Sequence, residues 1–176
     1  MEFMETAARR ISVRSFNSEP VSDDNLDIIL RVGCAAPVGH AGFYRLKIIV
    51  VQNPEWIENL RVAVRKVHGG SEYDFVYGAR TLVIVASRTE PGKPDTSHAD
   101  GANLINNMLL AATDLGIQSV FLYTPIFGLN EEPELIKDLN LPEGYKPVAC
   151  AAFGYATDGV PNEREFKYRV ETNWFK

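Results

Sequence analysis

The sequence has few cysteines and histidines, which argues against two common kinds of stabilising site. Its two cysteines, Cys34 and Cys150, lie far apart in apolar surroundings. We therefore expect two buried free thiols in a reducing compartment, with a structural disulfide as the alternative. The three histidines, His40, His68 and His98, show no ligand spacing with the cysteines, so we expect no metal site.

The sequence also lacks a long basic run and a long apolar run. Its formal net charge is −5, whereas nucleic-acid binding requires a concentrated cationic face. No apolar run is long enough to cross a bilayer. The opening residues carry acidic side chains instead of an apolar stretch behind basic residues, so we expect no signal peptide. These absences predict a cytoplasmic protein that binds neither nucleic acid nor membrane.

The apolar content is sufficient for one hydrophobic core. Hydrophobic residues make up 45% of the 176 residues, and a domain of this size buries roughly 70% of the surface that its unfolded chain exposes. Helical and strand patterns alternate along the chain, with no internal repeat. We therefore expect a single domain over residues 1–176.

Capping residues and apolar patterns predict where the elements lie. Ser22 is suited to an N-cap because two acidic residues follow it, and Pro54 is suited to a first helical turn. Leu46–Val51 is rich in β-branched apolar residues, typical of a strand covered on both faces. The predicted helices cover residues 2–10, a segment after Ser22, residues 54–67 and residues 99–115; the predicted strands cover residues 46–51, 82–86, 119–123 and 148–153.

Two guanidinium groups and a hydroxyl lie at alternate positions in residues 10–14. In an extended chain, alternate side chains point the same way, so Arg10, Ser12 and Arg14 could converge on one ligand. Guanidinium donors match phosphate oxygens in bidentate geometry, which favours a phosphate. The alternative is a solvated basic cluster after a helix.

The chain resembles the nitroreductase family of FMN-dependent oxidoreductases over nearly its whole length. No single motif is specific, but the matching segments follow one another in the family's order. They are residues 9–16 with Pro20 and Val21, the helix-like residues 25–30, residues 35–37, residues 106–112 with 115–117, residues 139–142, residues 152–155, and the pair Lys167 and Arg169.

The resemblance implies both a fold and an activity. The fold would be α+β, with a mixed central β-sheet flanked by helices, in an intertwined homodimer that holds FMN at the subunit interface. The activity would be ping-pong hydride transfer from NADH or NADPH, through flavin N5, to an electron-poor acceptor such as a nitroaromatic or a quinone. Alternatives are a specialised enzyme of the same fold, for reductive dehalogenation or heterocycle oxidation, and a non-enzymatic flavin-binding dimer.

The resemblance also implies which residues contact FMN. Arg10 and Ser12 would hold the phosphate, and Arg14 would reach the ribityl chain and the N1/C2-carbonyl edge of the ring. Backbone N–H groups in residues 121–124 would face flavin N5 and the C4 carbonyl. The full set of cofactor-binding candidates is Arg10, Ser12, Arg14, Pro37, Val38, Gly39, His40, Phe121, Leu122, Tyr123, Thr124, Lys167 and Arg169.

Several roles within this set stay open. Residues 37–40 would cover a flavin bound mainly by the other subunit, through backbone or apolar contacts, because the polar side chains common in this loop of the family are absent. His40 could donate a proton to substrate or be an ordinary exposed histidine. Arg80 could serve an anionic substrate or form a surface salt bridge. No catalytic side chain is required, because the cofactor carries the chemistry.

Overall fold

The computed structural model describes residues 2–159 and 163–176. The elements in this part are α1 (Phe3–Arg9), α2 (Asp23–Gly33), β1 (Leu46–Val51), α3 (Pro54–Val67), β2 (Thr81–Ser87), α4 (Ser97–Asp114), β3 (Gln118–Leu122), α5 (Thr124–Asn130), α6 (Pro133–Asp138) and β4 (Lys146–Gly154). Two single turns of 3₁₀ helix, Gly39–Ala41 and Phe43–Arg45, connect α2 to β1.

The sheet has the strand order β1-β2-β4-β3, and every pair of neighbouring strands is antiparallel. At the edge formed by β3, Ser12 pairs with Ser119 in one isolated bridge, and this pairing is parallel. The expected α+β fold with a sheet flanked by helices is therefore confirmed.

Helices cover both faces of the sheet, and alternate side chains of β2 pack against different groups of helices. Leu82 and Ile84 pack into one core with α3, α5 and α6. Val83 and Val85 pack into a second core with α2 and α4. Successive strand side chains point to opposite faces, so a central strand covered on both sides needs an unbroken apolar run.

The expectation for β1 is wrong in one respect, because this strand forms an edge of the sheet. Lys47 and Val50 are exposed, whereas every residue of β2 is buried. A run of β-branched residues suits a half-covered edge as well as a central strand. One side of β1 therefore presents backbone groups that no strand among the described residues pairs.

Side-chain caps mark the first turns of α2 and α3. The Ser22 hydroxyl accepts a hydrogen bond from Asn25 N at 3.5 Å, as the sequence predicts for α2. Asn53 caps α3 by accepting from the backbone N of Glu55 and Trp56. Two short helices, α5 and α6, were not predicted as separate elements, although each carries proline in its first turn.

Residues 12–21, the crossing segment, run across one end of the whole sheet. Val13 N donates to Ser119 O at the start of β3 (3.1 Å), and Asn17 N donates to Tyr155 O just after β4 (2.9 Å). Val21 N then donates to Thr81 Oγ1 at the start of β2 (3.0 Å). The segment therefore brings its side chains to the end of the sheet where β3 begins and β4 stops.

Both cysteines are free thiols, but only one is buried. Burial raises the pKa of the Cys150 thiol to about 12. Cys34 is exposed at the C-terminus of α2, so the expectation that it is buried is wrong. Among the described residues, no helix is long and apolar enough to cross a membrane.

Candidate functional site

Arg10, Ser12 and Arg14 lie where α1 ends and the crossing segment begins. Arg10 caps α1 with extended backbone angles, φ −64° and ψ 102°. Arg10 and Ser12 are half-buried and Arg14 is exposed. The predicted extended conformation after α1 is therefore present, although the three side chains differ in their access to solvent.

Arg10 has a cation as its close neighbour. The Arg164 guanidinium donates to Arg10 O and lies against the last turn of α1, where it also meets Ala7 O at 3.5 Å. Burial lowers the pKa of Arg10, and the like charge of Arg164 lowers it further. Arg10 forms no ion pair with any residue from 2 to 159 or from 163 to 176. Two adjacent guanidinium groups without an anion are suited to an anionic ligand.

Arg164 itself has unused hydrogen-bonding capacity. Its Nε is buried and has no partner among the described residues. Its backbone N donates to Ala8 O at 3.0 Å, which holds the residue against α1. The neighbouring Arg9 differs, because Glu5 and Glu163 neutralise it at 3.0 and 2.9 Å. Sequence reasoning missed Arg164, and its only signal was a third basic residue close to Lys167 and Arg169.

Ser12 and Arg14 line a cavity of about 370 Å³ beside the end of β4. The other lining residues are Val13, Ser15, Ala156, Asp158 and Gly159. Arg10 does not line this cavity, so the structure brings together Ser12 with Arg14 and, separately, Arg10 with Arg164. The cavity is large enough for part of a small organic molecule.

Lys167 and Arg169 lie in the exposed tail that follows Arg164. Both line a smaller cavity of about 160 Å³, together with Arg164, Glu165 and Phe166. Within the described residues, no hydrogen bond joins either residue to Arg10, and the like charge that affects the pKa of Arg10 is that of Arg164. Arg164 is therefore the tail cation that reaches Arg10.

A turn in residues 73–78 lies next to the crossing segment. Phe16 N donates to Tyr77 O at 3.0 Å, and a Cβ on Gly78 would meet Phe16 O at 2.9 Å. A hydrogen bond with Tyr77 raises the pKa of Tyr73, while the nearby positive charge of Arg14 acts in the opposite direction. The turn therefore brings phenol groups close to Arg14, a neighbourhood that the sequence did not indicate.

Arg80, which follows this turn, is half-buried. It forms no ion pair with any described residue, so the surface salt bridge, one of the two roles considered for it, is not found there.

The loop of residues 37–40 lies at the other end of the sheet. It leads into β1, whose first residue Leu46 pairs with Ser87, the last residue of β2. Val38 and Gly39 are half-buried, and Pro37 and His40 are exposed. Within one chain this loop is therefore separated from Arg10 and Ser12 by the length of the strands.

Residues 121–124 also extend towards that far end. Ser119 pairs with Ser12, and Tyr123 lies four residues further along β3, or about 13 Å at the usual rise per strand residue. Phe121 and Leu122 belong to the strand, whereas Thr124 begins α5. Tyr123 is exposed and its ring meets Phe127 edge-on at 5.0 Å. A ligand reaching from Ser12 to Tyr123 must therefore be elongated.

The sequence pattern of the nitroreductase family matches residues 56–155. The whole chain is similar to a nitroreductase from Bacteroides fragilis whose crystal structure contains FMN. That similarity has 29% identity, covers 100% of both chains and has a TM-score of 0.83. No curated protein matches the chain.

Two further solved structures share the fold. A nitroreductase from Desulfitobacterium hafniense with bound FMN has 23% identity and a TM-score of 0.85, covering 100% of this chain and 99% of the other. A Bacteroides thetaiotaomicron protein, named as an NADH dehydrogenase/NAD(P)H nitroreductase, has 21% identity and a TM-score of 0.74, with 99% of each chain covered.

Proposed function

Because this chain belongs to the nitroreductase family, we propose that it is an FMN-dependent oxidoreductase. It takes hydride from NADH or NADPH and delivers it to an electron-poor acceptor, such as a nitroaromatic or a quinone. The observation that carries the proposal is the half-buried Arg10 beside Arg164, two cations without an anionic partner among the described residues. FMN ends in a phosphate dianion, which supplies the missing negative charge.

The residues around Arg10 fit the FMN phosphate. Arg10 has a free guanidinium fork, and the buried Nε of Arg164 has an unused N–H. Ser12 adds a hydroxyl two residues away in extended chain. Lys167 and Arg169 lie in the same tail as Arg164 and would contribute longer-range positive charge. Arg164 thereby joins the phosphate-binding residues implied by the family resemblance.

The neighbouring cavity fits the next part of the cofactor. Ser12 and Arg14 line its wall, and Arg14 is exposed without an ion pair to any described residue. We assign Arg14 to the ribityl chain and the N1/C2-carbonyl edge of the ring. A fixed cation at that edge stabilises negative charge on the reduced ring.

The flavin supplies the hydride chemistry when it is bound, so the protein needs no nucleophilic side chain. The protein's tasks are to bind the phosphate, to orient the ring and to exclude water. The backbone N–H groups of Tyr123 and Thr124 are our candidates for hydrogen bonds to N5 and the C4 carbonyl. Their position beyond the end of β3 suits the reactive part of an elongated ligand anchored near Ser12.

We also propose a two-fold homodimer with one flavin at each interface site. The tail exposes large side chains, with Phe166, Tyr168 and Trp174 at 58%, 77% and 73% of their maximal accessible area. Exposed apolar groups on this scale indicate a protein-binding surface. The unpaired edge of β1 is a suitable place for the partner's tail to add a strand.

Cofactor identity tests the proposal directly. The protein is purified, the cofactor is released by heat, and chromatography distinguishes FMN from FAD. We expect FMN, because the cations gather at a terminal phosphate. Recovery of mostly FAD, or of no flavin after reconstitution, would contradict the assignment.

Anaerobic reduction then separates the enzyme from a non-enzymatic flavin-binding dimer. We expect NADH or NADPH to bleach the flavin spectrum, and a quinone or nitroaromatic to restore it. A flavin that neither nicotinamide reduces would favour the binding module. Reduction followed by selective reoxidation with a halogenated or heterocyclic compound would favour the specialised enzyme.

Mixed dimers test whether the two subunits share each flavin. One subunit carries Arg10→Ala and Arg14→Ala, and the other carries His40→Trp to block the 37–40 loop. His40 is the better position to alter, because a Cβ on Gly39 would meet Thr96 Oγ1 at 2.8 Å and disturb the loop itself. If the loop covers the partner's flavin, both lesions fall on one site and the mixed dimer keeps one active flavin. Loss of both flavins, or a monomer with full flavin occupancy, would contradict sharing.

A further inference from the structure

A buried charged cluster lies directly beneath the 37–40 loop, and the FMN contacts proposed above do not use it. Arg45 is only 3% exposed and Asp100, at the start of α4, only 4% exposed. Arg45 Nη2 lies 3.7 Å from Asp100 Oδ2, and Arg45 Nε lies 3.8 Å from Glu90 Oε2. Burying charged groups is costly even when they are paired, so this cluster requires an explanation.

The cluster binds both peptide groups of a single loop residue. Gly39 N donates to Asp100 Oδ1 at 2.8 Å, and Arg45 Nη2 donates to Gly39 O at 2.8 Å. The Thr96 hydroxyl links the two charges, because it donates to Asp100 Oδ2 at 2.6 Å and accepts from Arg45 Nη2 at 3.4 Å. Gly39 is therefore fixed in position and in orientation.

The two residues after Gly39 have a backbone conformation that needs such support. His40 (φ 54°, ψ 27°) and Ala41 (φ 52°) both lie in the left-handed region. This conformation costs a non-glycine residue roughly 1–2 kcal/mol, and it persists only where the surroundings determine it. Two consecutive residues in this conformation, next to the half-buried Gly39, indicate that the surrounding contacts hold the backbone of the turn in this shape.

Glycines make room for the cluster at both ends of the turn. A Cβ on Gly39 would meet Thr96 Oγ1, and a Cβ on Gly42 would meet the Arg45 guanidinium. The backbone therefore packs directly on the Thr96 hydroxyl at one end of the turn and on the Arg45 guanidinium at the other.

We propose that Arg45 and Asp100 are positioning residues of the flavin site. They hold residues 39–41 in the left-handed turn, so that the 37–40 loop has its cofactor-covering shape before FMN arrives. This inference rests on the proposed function, because the loop's ligand is the FMN assigned above. Because the loop is already ordered, the free energy of FMN binding is not reduced by the entropy cost of ordering it.

The test uses charge-removing and hydrogen-bond-removing variants of the full-length protein. Asp100→Asn keeps the shape of the side chain and removes its charge, and Arg45→Lys keeps the charge and removes the guanidinium fork. Two controls match them: Glu134→Gln alters an exposed ion pair on α6, and Ile57→Val removes one buried methyl group from the core. Ile57→Val lowers overall stability without touching the loop.

Two quantities are measured for each protein. Hydrogen exchange of the backbone amides in residues 39–42, followed by mass spectrometry or NMR, reports on the turn itself. FMN titration gives the dissociation constant. We expect exchange at the turn to accelerate about ten-fold or more in Asp100→Asn and Arg45→Lys, and the dissociation constant to rise about ten-fold, as for the loss of one charge-assisted hydrogen bond. Both controls should leave both quantities unchanged.

The outcomes separate the inference from the proposed function. If the wild-type protein binds FMN and the variants loosen the turn without weakening FMN, the positioning role is wrong and the proposed function stands. Unchanged exchange in both variants also overturns the inference. If wild-type protein binds no FMN, the proposed function fails and the positioning role fails with it. If Asp100→Asn and Arg45→Lys both fail to fold, the same two measurements are made on Thr96→Val, which removes only the linking hydroxyl, and they decide the question.

Discussion

Arg45 and Arg10 lie at opposite ends of the sheet and have opposite electrostatic surroundings. Arg45 is buried, and Asp100 and Glu90 lie within 4 Å of its guanidinium. Arg10 is half-buried, and its charged neighbour is Arg164. A buried arginine with its anions present fixes the protein's own backbone. An arginine placed beside another cation indicates that the anion comes from elsewhere.

The difference is also visible between adjacent residues. Arg9 pairs with Glu5 and Glu163, whereas Arg10, one residue later, has no ion pair with any described residue. Alternate spacing singles out Arg10 in the sequence, but it does not show which of the two arginines has an anionic partner. The structure therefore distinguishes a cation that stabilises a helix from one that is available to a ligand.

The largest effect is expected when the buried cation is removed. Arg45→Ala leaves Asp100 uncompensated in the interior, which should cost about 3–5 kcal/mol of unfolding free energy. Chemical denaturation measures this. Arg31→Ala, which breaks an exposed pair with Asp27, is the control and should cost no more than about 1 kcal/mol. Equal losses in the two variants would show that burial does not distinguish them.

Removing the unpaired cation should affect the ligand and not the fold. Arg10→Ala removes charge-assisted hydrogen bonds of about 1.5–3 kcal/mol, so FMN should bind about ten- to a hundred-fold more weakly. The unfolding free energy of the flavin-free protein should stay the same or rise, because a like-charge contact with Arg164 disappears. FMN titration and denaturation measure the two quantities, with Arg9→Ala as the neighbouring control. An unchanged FMN affinity would remove Arg10 from the phosphate site.

A smaller effect is expected from the exposed Arg14. Arg14→Ala removes the positive charge that we propose to lie near the reduced ring, so the flavin reduction potential should fall. An interaction of about 1 kcal/mol through a largely aqueous medium corresponds to about 20 mV for a two-electron couple. Anaerobic dye-linked titration measures the shift, and Lys137→Ala on α6 is the charge-matched control. A rise, or an equal fall in both variants, would contradict the proposed position of Arg14.

The smallest effect concerns Glu90, which joins the buried cluster to the surface. Hydrogen bonds from Lys93 and Tyr44 lower the pKa of this carboxyl below its ordinary value. A lowered pKa in the folded state stabilises the fold above the ordinary pKa, and the contribution disappears as the pH falls through the lowered value. The melting temperature of Glu90→Gln should therefore lie slightly below that of wild type at pH 7 and converge with it in acid. If the two melting temperatures moved further apart as the pH fell, the predicted direction of the pH dependence would be wrong.

The sequence allowed prediction of the elements whose signal is local. The buried strands β2 and β4 could be identified from their apolar runs, and α2 and α3 from Ser22 and Pro54 at their starts. The edge position of β1 could not be predicted, since pairing with β2 alone is a tertiary property. The helices α5 and α6 span seven and six residues, too short for a periodic pattern to stand out.

The residues of the candidate site also divide into those that a local sequence pattern indicates and those that it does not. Alternate spacing was enough to single out Arg10, Ser12 and Arg14. It could not indicate Arg164, whose contact with Arg10 spans 154 positions, or the buried pair of Arg45 and Asp100. Contacts between residues so far apart in sequence depend on the complete topology. Arginine and aspartate are also common residues, so none of the three stands out in its own segment.

The crossing segment has a consequence for how the protein is made on the ribosome. Val13 N donates to Ser119 O in β3 and Asn17 N donates to Tyr155 O just after β4, and these two strands are translated last, whereas Phe16 N donates to Tyr77 O, which is translated earlier. The contacts with Ser119 and Tyr155 cannot form until most of the chain has emerged, and contacts of long sequence separation form slowly. We therefore expect Ser12 and Arg14 to reach their final positions in one of the last folding events. We expect a nascent chain interrupted before β4 to lack Tyr155 and Arg164, and with them contacts that position Asn17 and Arg10 at the proposed phosphate site.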